Sequence, residues 1–183
     1  MSWWALIAGA DWRHPQGTET TIQDRMDHPV VHVAYDDALA YAEWTGKRLP
    51  IADEWEVAAR GGLVNQDYAW GSEMTPGGRW LANVWQGLFP WCNEQLDGWF
   101  WTSPVGHFPP NGYGLVDVCG NVWEWTSTQY PVAENEQEHR IIKGGSFLCA
   151  ENYCHRFRPS AFMGQTVDAA TCHMGFRCAS DSI

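Results

Sequence analysis

The sequence lacks any long apolar run. No apolar stretch in its 183 residues approaches the roughly 18–20 residues that a membrane-spanning helix needs. The first residues, Met1-Ser2-Trp3-Trp4, also lack the basic and apolar regions of a secretion signal. These absences favour a protein that does not span a membrane, and they lead us to expect a cytoplasmic location.

Basic residues are scarce. The 11 Lys and Arg residues face 22 Asp and Glu residues, which gives a formal net charge of −11. A nucleic-acid partner is disfavoured because there is no basic surplus to neutralise phosphates. Metal cations are more plausible partners for such a chain.

Cysteines are also few. The six cysteines are too scattered for a small disulfide-stapled scaffold, so free thiols or one functional pair are favoured. A charged fraction of 18% beside a hydrophobic fraction of 45% excludes intrinsic disorder. We expect one domain over residues 1–183, with a real hydrophobic core.

Regular secondary structure is sparse in the pattern. Only two segments predict helices, from about Asp36 to Thr45 and from about Ala52 to Arg60, with Asp36 or Asp37 as the cap of the first. After residue 61, Gly and Pro recur between short segments rich in Trp, Val and Phe. This texture predicts a loop-rich α+β fold, with an exposed loop at 134–140 and a strand at 140–143. Many loop carbonyls then need partners, which Trp side chains, Asn and Asp turns, or bound cations can provide.

Two cysteines stand five residues apart in a glycine-led segment, Gly144-Gly145-Ser146-Phe147-Leu148-Cys149-Ala150-Glu151-Asn152-Tyr153-Cys154. His155, Arg156 and Arg158 follow and could lower a thiol pKa. From the spacing alone, Cys149 and Cys154 are a functional thiol pair, two unrelated buried thiols, a disulfide, or part of a zinc site with His155, Cys172 or His173.

Motifs along nearly the whole chain resemble the formylglycine-generating enzyme family, also called sulfatase-modifying factors. The matching segments are Asp11-Trp12-Arg13-His14-Pro15, Lys47-Arg48-Leu49-Pro50, Asn111-Gly112-Tyr113-Gly114-Leu115, Gly120-Asn121-Val122-Trp123-Glu124-Trp125 and Gly175-Phe176-Arg177-Cys178. The Gly-Asn-x-Trp-Glu-Trp element marks a wider superfamily that includes non-catalytic members. The Cys149 and Cys154 pair is specific to the oxidising branch.

This resemblance implies a fold related to C-type lectin-like domains. It also implies oxidation of one cysteine of an unfolded sulfatase polypeptide, in a Cys-x-Pro-x-Arg motif, to Cα-formylglycine with molecular oxygen. Cys149 and Cys154 would hold Cu(I), a soft ion that prefers thiolates and leaves room for a substrate sulfur. Ser146 matches an active-site serine of the family.

The resemblance also implies substrate-binding residues. Tyr153 and Arg158 match pocket positions, although a surface ion pair is an alternative for Arg158. Trp123 is either a substrate-stacking residue or a core residue. His173, where the family usually has Asn, completes the predicted substrate-binding set.

Two loop regions match the family's calcium sites. The first expected site combines Asn83 and Asp97 side chains with the carbonyls of Val84 and Trp99. The second combines Asp117 and Glu124 side chains with the carbonyls of Gly120 and Val122. Oxygen ligands of this kind suit Ca²⁺, but Asp97 and Asp117 could instead be ordinary turn residues.

The chain departs from the family in several places. It lacks the usual N-terminal strand and helix, which suggests N-terminal truncation. Ala150 replaces a His and Phe162 an Arg, and these changes put peptide recognition in doubt more than copper binding. Ala42 and Ala59 replace disulfide partners of some members, so Cys178 is expected to be free. A non-catalytic lectin-like binding module is the alternative function.

Overall fold

A computed structural model describes residues 4–181. It contains two α-helices and a short 3₁₀ turn, followed by four strands. The helices are α1 (Tyr35–Trp44) and α2 (Ala52–Arg60), and the strands are β1 (Trp123–Tyr130), β2 (His139–Lys143), β3 (Phe162–Thr166) and β4 (Met174–Phe176). Loops connect them over most of the chain, which confirms the predicted α+β architecture with little regular secondary structure. No strand or helix precedes α1 between residues 4 and 34.

Both helices lie where the sequence predicts them, but the first cap differs. Tyr35 already begins α1, and the N–H of Ala34 donates to Asp37 Oδ2 at 2.9 Å. Ala34 is therefore the N-cap residue and the prediction of Asp36 or Asp37 at that position is wrong, although Asp37 contributes to the cap as the acceptor of the Ala34 N–H. Both acids lie inside the first turn, where their negative charges are favourable to the helix dipole. Gly61 ends α2 with a left-handed φ of 57°.

The four strands form one sheet in the order β3-β2-β1-β4. β1 pairs antiparallel with β2 and parallel with β4, and β2 pairs antiparallel with β3. The predicted strand at 140–143 is confirmed, although β2 begins one residue earlier, so the predicted polar loop is shorter than expected.

The core lies between the helices and the sheet. Trp55 and Ala59 of α2 and Ala38 and Ala42 of α1 are buried in one cluster with Trp125, which is fully buried. Packing the indole of Trp125 requires a hydrogen-bond partner, and its Nε1–H donates to the Val33 carbonyl at 3.0 Å.

Within residues 4–181, no helix has both the length and the apolar character that crossing a bilayer requires.

Candidate active site

The segment that carries the two cysteines is held by main-chain hydrogen bonds to two other parts of the fold. The Gly144 carbonyl accepts from Gly120, and the Phe147 N–H donates to the Asn121 carbonyl. The Cys149 carbonyl accepts from Trp85 N–H at 3.0 Å. The loop is therefore fixed on the 83–86 and 118–122 segments, although it has no strand of its own.

One glycine makes this arrangement possible. Gly145 has a φ of 70°, and a Cβ at that position would lie 2.7 Å from the Phe157 Cα. Only glycine combines this left-handed conformation with so close an approach between two backbones. The approach brings 144–149 beside the returning chain at residue 157.

A single turn brings the two thiols together. The Cys154 N–H donates to the Ala150 carbonyl at 2.9 Å, which folds the chain back over Cys149. The two Sγ atoms then lie 3.0 Å apart, and both cysteines are free. This distance exceeds the bond length of a disulfide, about 2.05 Å, so the structure describes a dithiol in hydrogen-bond contact.

The two thiols differ in their surroundings. Cys149 is 1% exposed, and burial raises its pKa well above the ordinary value. The hydrogen bond from Cys149, helped by the neighbouring Arg156, lowers the pKa of the more exposed Cys154 to about 6. The pair therefore favours a proton on Cys149 and a thiolate on Cys154.

These sulfurs open onto a cavity of about 430 Å³, which we call the cysteine cleft. It is lined by Trp4, Trp123, Ser146, Leu148, Cys149, Tyr153, Cys154, Arg156, Met163, Gln165, Thr171, His173 and Met174. Six of the seven predicted catalytic and substrate-binding residues therefore line the same cavity, and Arg158 is the exception. The volume lies within the usual range for ligand sites.

The sheet supplies the wall opposite the thiols. Met163 and Gln165 alternate along β3 and so point to the same side. Trp123 begins β1, is buried, and donates its N–H to the His173 carbonyl at 2.8 Å. Trp123 is therefore a core residue that also lines the cleft, and its substrate-stacking role stays a prediction.

Two predicted residues have specific surroundings. The ring of Tyr153 stacks on Phe89, with centroids 4.4 Å apart, and remains more than half exposed at the cleft rim. His173 Nδ1 lies 2.7 Å from Thr171 Oγ1, and burial lowers the pKa of His173 to about 4. The imidazole is therefore neutral at neutral pH.

Ser146 lines the cleft, whereas Arg158 lies outside it. Ser146 is fully buried at the base of the cleft, and its Oγ accepts from the Leu148 N–H at 3.2 Å. Arg158 is absent from the cleft lining and lies 3.9 Å from Asp67, as the surface-pair alternative expects. Substrate binding by Arg158 stays a prediction.

The structure adds cleft residues that the sequence prediction missed, chiefly Arg156, Gln165, Met163 and Trp4. From the sequence, Arg156 is expected only to affect the thiol pKa values, and its position two residues after Cys154 is the one signal for a place in the cleft. Nothing in the sequence indicates that β3 flanks the cleft.

A structural zinc site takes four ligands, usually Cys and His. Among residues 4–181, no three His, Cys, Asp or Glu side chains come together as a metal site, so the structure gives no support to the zinc alternative with His155, Cys172 or His173. This criterion of three side chains does not apply to the other predicted sites. The copper site has two thiols, and each calcium site has at most two carboxylates together with amide or carbonyl oxygens.

The first predicted calcium set has an unsatisfied ligand atom. Asn83 Oδ1 is buried without a hydrogen-bond partner. Asp97 is also buried, and it accepts from the Val84 and Trp99 N–H groups at 3.0 and 2.9 Å. Burial raises the pKa of Asp97. Gln86 Nε2 also donates to Asp97 Oδ2 at 2.7 Å, so both carboxylate oxygens have partners, while the unpartnered amide oxygen of Asn83 suits a hard cation.

In the second predicted calcium set, one carboxylate has an unpartnered oxygen and the other does not. Asp117 Oδ1 is likewise buried and without a partner, and Asp117, Val122 and Glu124 line one cavity. Glu124, however, accepts from Arg177 through both oxygens, at 2.5 and 2.6 Å, and from Trp55 Nε1 at 2.6 Å. Asp117 therefore fits a cation, while Glu124 already has strong partners.

Solved structures share this fold. The chain is similar to CarF, with a TM-score of 0.67 and 24% identity over 85% of this chain and 68% of that one. It is also similar to PvdO of Pseudomonas aeruginosa, with a TM-score of 0.65 and 26% identity over 82% of this chain and 60% of that one. These likenesses support a mixed fold with few helices, and the relation to C-type lectin-like domains stays a prediction.

Sequence comparisons agree with the fold. Residues 2–182 match the family model of the sulfatase-modifying factor enzyme 1-like domain. The formylglycine-generating enzyme of Mycobacterium tuberculosis is 50% identical over 99% of this chain and 67% of its own length, and that of Bos taurus is 46% identical over 99% and 51%. The chain belongs to the formylglycine-generating enzyme, or sulfatase-modifying factor, family.

Not every relative is active. The inactive Cα-formylglycine-generating enzyme 2 of Bos taurus is 46% identical over 98% of this chain and 59% of its own length. The chain spans between 51% and 67% of the length of these three relatives. Overall identity therefore does not separate active from inactive members of the family.

Proposed function

We propose that the protein oxidises a cysteine in a Cys-x-Pro-x-Arg segment of an unfolded sulfatase to Cα-formylglycine, using Cu(I) and molecular oxygen. The observation that carries this proposal is the pair of thiols 3.0 Å apart at the base of an open cleft. The names of the active relatives support the reaction, and the dithiol distinguishes it from a purely structural role for the fold.

The two cysteines form a suitable donor set for copper. Thiolates are soft ligands that select Cu(I), and Cys154 is poised to ionise at neutral pH. Bound there, Cu(I) would supply a third position for a substrate sulfur and a route for electrons to oxygen. The free cleft above the thiols is the space that such a substrate needs.

The overall change removes two electrons from the substrate cysteine. Its side chain CH₂SH and one water become CHO and H₂S, with two protons released and the electrons passed to oxygen. Residues of the cleft would position the substrate peptide for this reaction. Tyr153 and Trp123 would flank the peptide, and Ser146 would offer a hydroxyl at the base of the cleft. The neutral imidazole of His173 would accept or donate a hydrogen bond.

Calcium is proposed as a structural cofactor. Asn83 and Asp97, with the Val84 and Trp99 carbonyls, would hold one ion, and Asp117 would contribute to a second with Gly120, Val122 and Glu124. The buried unpartnered oxygens of Asn83 and Asp117 support this proposal, since a bound cation would satisfy them.

A direct assay tests the oxidase. The protein is loaded with Cu(I) and incubated with oxygen and a Cys-x-Pro-x-Arg peptide, and the aldehyde is measured by mass. We expect conversion that Cys149→Ala or Cys154→Ala abolishes, whereas Cys92→Ala, which removes an exposed thiol, leaves it unchanged. Absence of aldehyde from the copper-loaded native chain would contradict the proposal.

A binding module without redox activity is the second candidate. Inactive relatives of equal identity favour it, as do the substitutions at Ala150 and Phe162. Ala150 is fully buried against Trp85 and Phe89, so no imidazole faces the cleft at that position. On this account, peptide affinity survives the Cys149→Ala/Cys154→Ala double replacement and the native chain forms no aldehyde.

A further inference from the structure

One side chain sets the electrostatic character of the cysteine cleft. Among the residues that line it, Arg156 alone carries a permanent charge. Cys154 favours the thiolate and Cys149 keeps its proton, His173 is kept neutral by burial, and the other walls are aromatic, aliphatic, amide or hydroxyl groups. A substrate that enters the cleft therefore meets a single cationic group.

This guanidinium has no carboxylate partner. No Asp or Glu oxygen of the described chain lies within 4.0 Å of Arg156, although the protein has 22 acidic residues. Arg60, Arg140 and Arg177, by contrast, each pair with a Glu. Arg156 is exposed, and its interaction with Cys154 leaves most of its five donors available.

We propose that Arg156 is a specificity-determining residue that selects peptides with a carboxylate near the cysteine to be modified. The inference rests on the proposed function, because it assumes that a peptide occupies the cleft. Guanidinium groups bind carboxylates through two parallel hydrogen bonds, which gives both attraction and orientation. An Asp close to the target cysteine would reach Arg156 while the cysteine lies over Cys154.

The test separates binding from chemistry. The probes are labelled Ser-x-Pro-x-Arg peptides, in which Ser replaces the target cysteine. Each carries Asp, Asn or Lys either at the residue before this Ser or at the first x. Their affinities are measured by fluorescence anisotropy with the metal-free protein. We expect the Asp peptide to bind about three- to tenfold more tightly than the Asn peptide at one of these positions, and the Lys peptide to bind more weakly.

Charge reversal provides the decisive comparison. R156Q should remove the preference between Asp and Asn, and R156E should invert the order of Asp and Lys. R79E is the matched control, because Arg79 is exposed, does not line the cysteine cleft and changes the net charge equally. The wild-type preference should shrink with added salt.

The outcomes distinguish the two proposals. A native chain with no charge preference at either position, or R156E with the wild-type order, overturns the role of Arg156, even if the copper-loaded protein forms aldehyde. An inverted order in R156E, without aldehyde when the copper-loaded native protein is given the same peptides with their cysteine restored, rejects the oxidase and leaves Arg156 as the determinant of peptide binding. Failure of every Ser peptide to bind overturns the role of Arg156 alone, because the oxidase is tested by aldehyde formation from a cysteine peptide, whose sulfur would bind the copper.

Discussion

The thiol of Cys149 donates a hydrogen bond to the sulfur of Cys154 at 3.0 Å, and this one contact makes two chemically similar groups unequal. The donor is buried and keeps its proton, while the acceptor lies nearer the solvent and loses its proton more easily. The pair therefore presents the Cys154 thiolate to the cleft and the protonated Cys149 thiol behind it.

The inequality predicts selective alkylation in the metal-free protein. With its pKa lowered to about 6, Cys154 is mostly thiolate at pH 7, so iodoacetamide should modify it far faster than Cys149. The rate should rise through about pH 6. In Cys149→Ala the stabilising donor is gone, and this rise should move to higher pH. Equal rates at Cys149 and Cys154, read by peptide mass mapping, would refute the asymmetry.

A pair of glycine substitutions tests how the cysteine loop is built. Gly46 and Gly145 have nearly the same φ, 69° and 70°, but a Cβ meets nothing within 4 Å at Gly46 and meets Phe157 at Gly145. Gly46→Ala should cost about 1 kcal/mol for the left-handed conformation. Gly145→Ala should cost roughly 2 kcal/mol more, because Phe157 must move.

Urea unfolding measures both glycine variants. Since the displaced loop carries the dithiol, Gly145→Ala should also slow Cys154 alkylation, while Gly46→Ala leaves it as in the native protein. Similar losses of unfolding free energy in the two variants would show that the loop adapts without strain.

His173 predicts an acid-sensitive contribution to stability. Its folded pKa of about 4 lies below the unfolded value of about 6.5, so the unfolded chain binds the extra proton between these values. The contribution is fully present well above pH 6.5 and is lost as the pH falls towards 4, by about 3 kcal/mol. His173→Asn should flatten the fall of unfolding free energy between pH 6.5 and 4. An unchanged slope would assign the acid sensitivity to other groups.

Calcium should stabilise the folded protein through Asp97 and Asn83. A ligand present at 100 times its Kd adds about 2.7 kcal/mol to the unfolding free energy. Ca²⁺ should therefore raise the melting temperature more than Mg²⁺, and Asp97→Ala should remove a large part of this rise. Asp117→Ala tests the second set independently, with titration calorimetry to count the ions. A full calcium response in both variants would rule these residues out as ligands.

Features that depend on residues close together in the sequence could be predicted, and features that depend on residues far apart in the sequence could not. The helices at 35–44 and 52–60 follow local signals, namely apolar spacing and terminal glycines, and their positions were predicted to within one residue. The cap of α1 was not, because Ala34 and Asp37 provide it through a backbone donor and an acid of the first turn. Sequence preferences describe side-chain caps and miss this variant.

The same distinction holds at the site. Cys149 and Cys154 are five residues apart, and the Gly-Gly-Ser frame was enough to mark them. Gln165 and Arg156 face the same cleft from different parts of the fold, and only the packing of β3 beside the cysteine loop brings them together. Arg158, which shares its residue type and neighbourhood with Arg156, lies near Asp67 instead.

By itself, the sequence determined the family, the helices and the two sulfurs, because local patterns and short spacings encode them. The tertiary structure decided which thiol is exposed, which arginine faces the cleft and which oxygens lie buried without partners. These properties depend on desolvation and on contacts between residues far apart in the chain, which no local pattern contains.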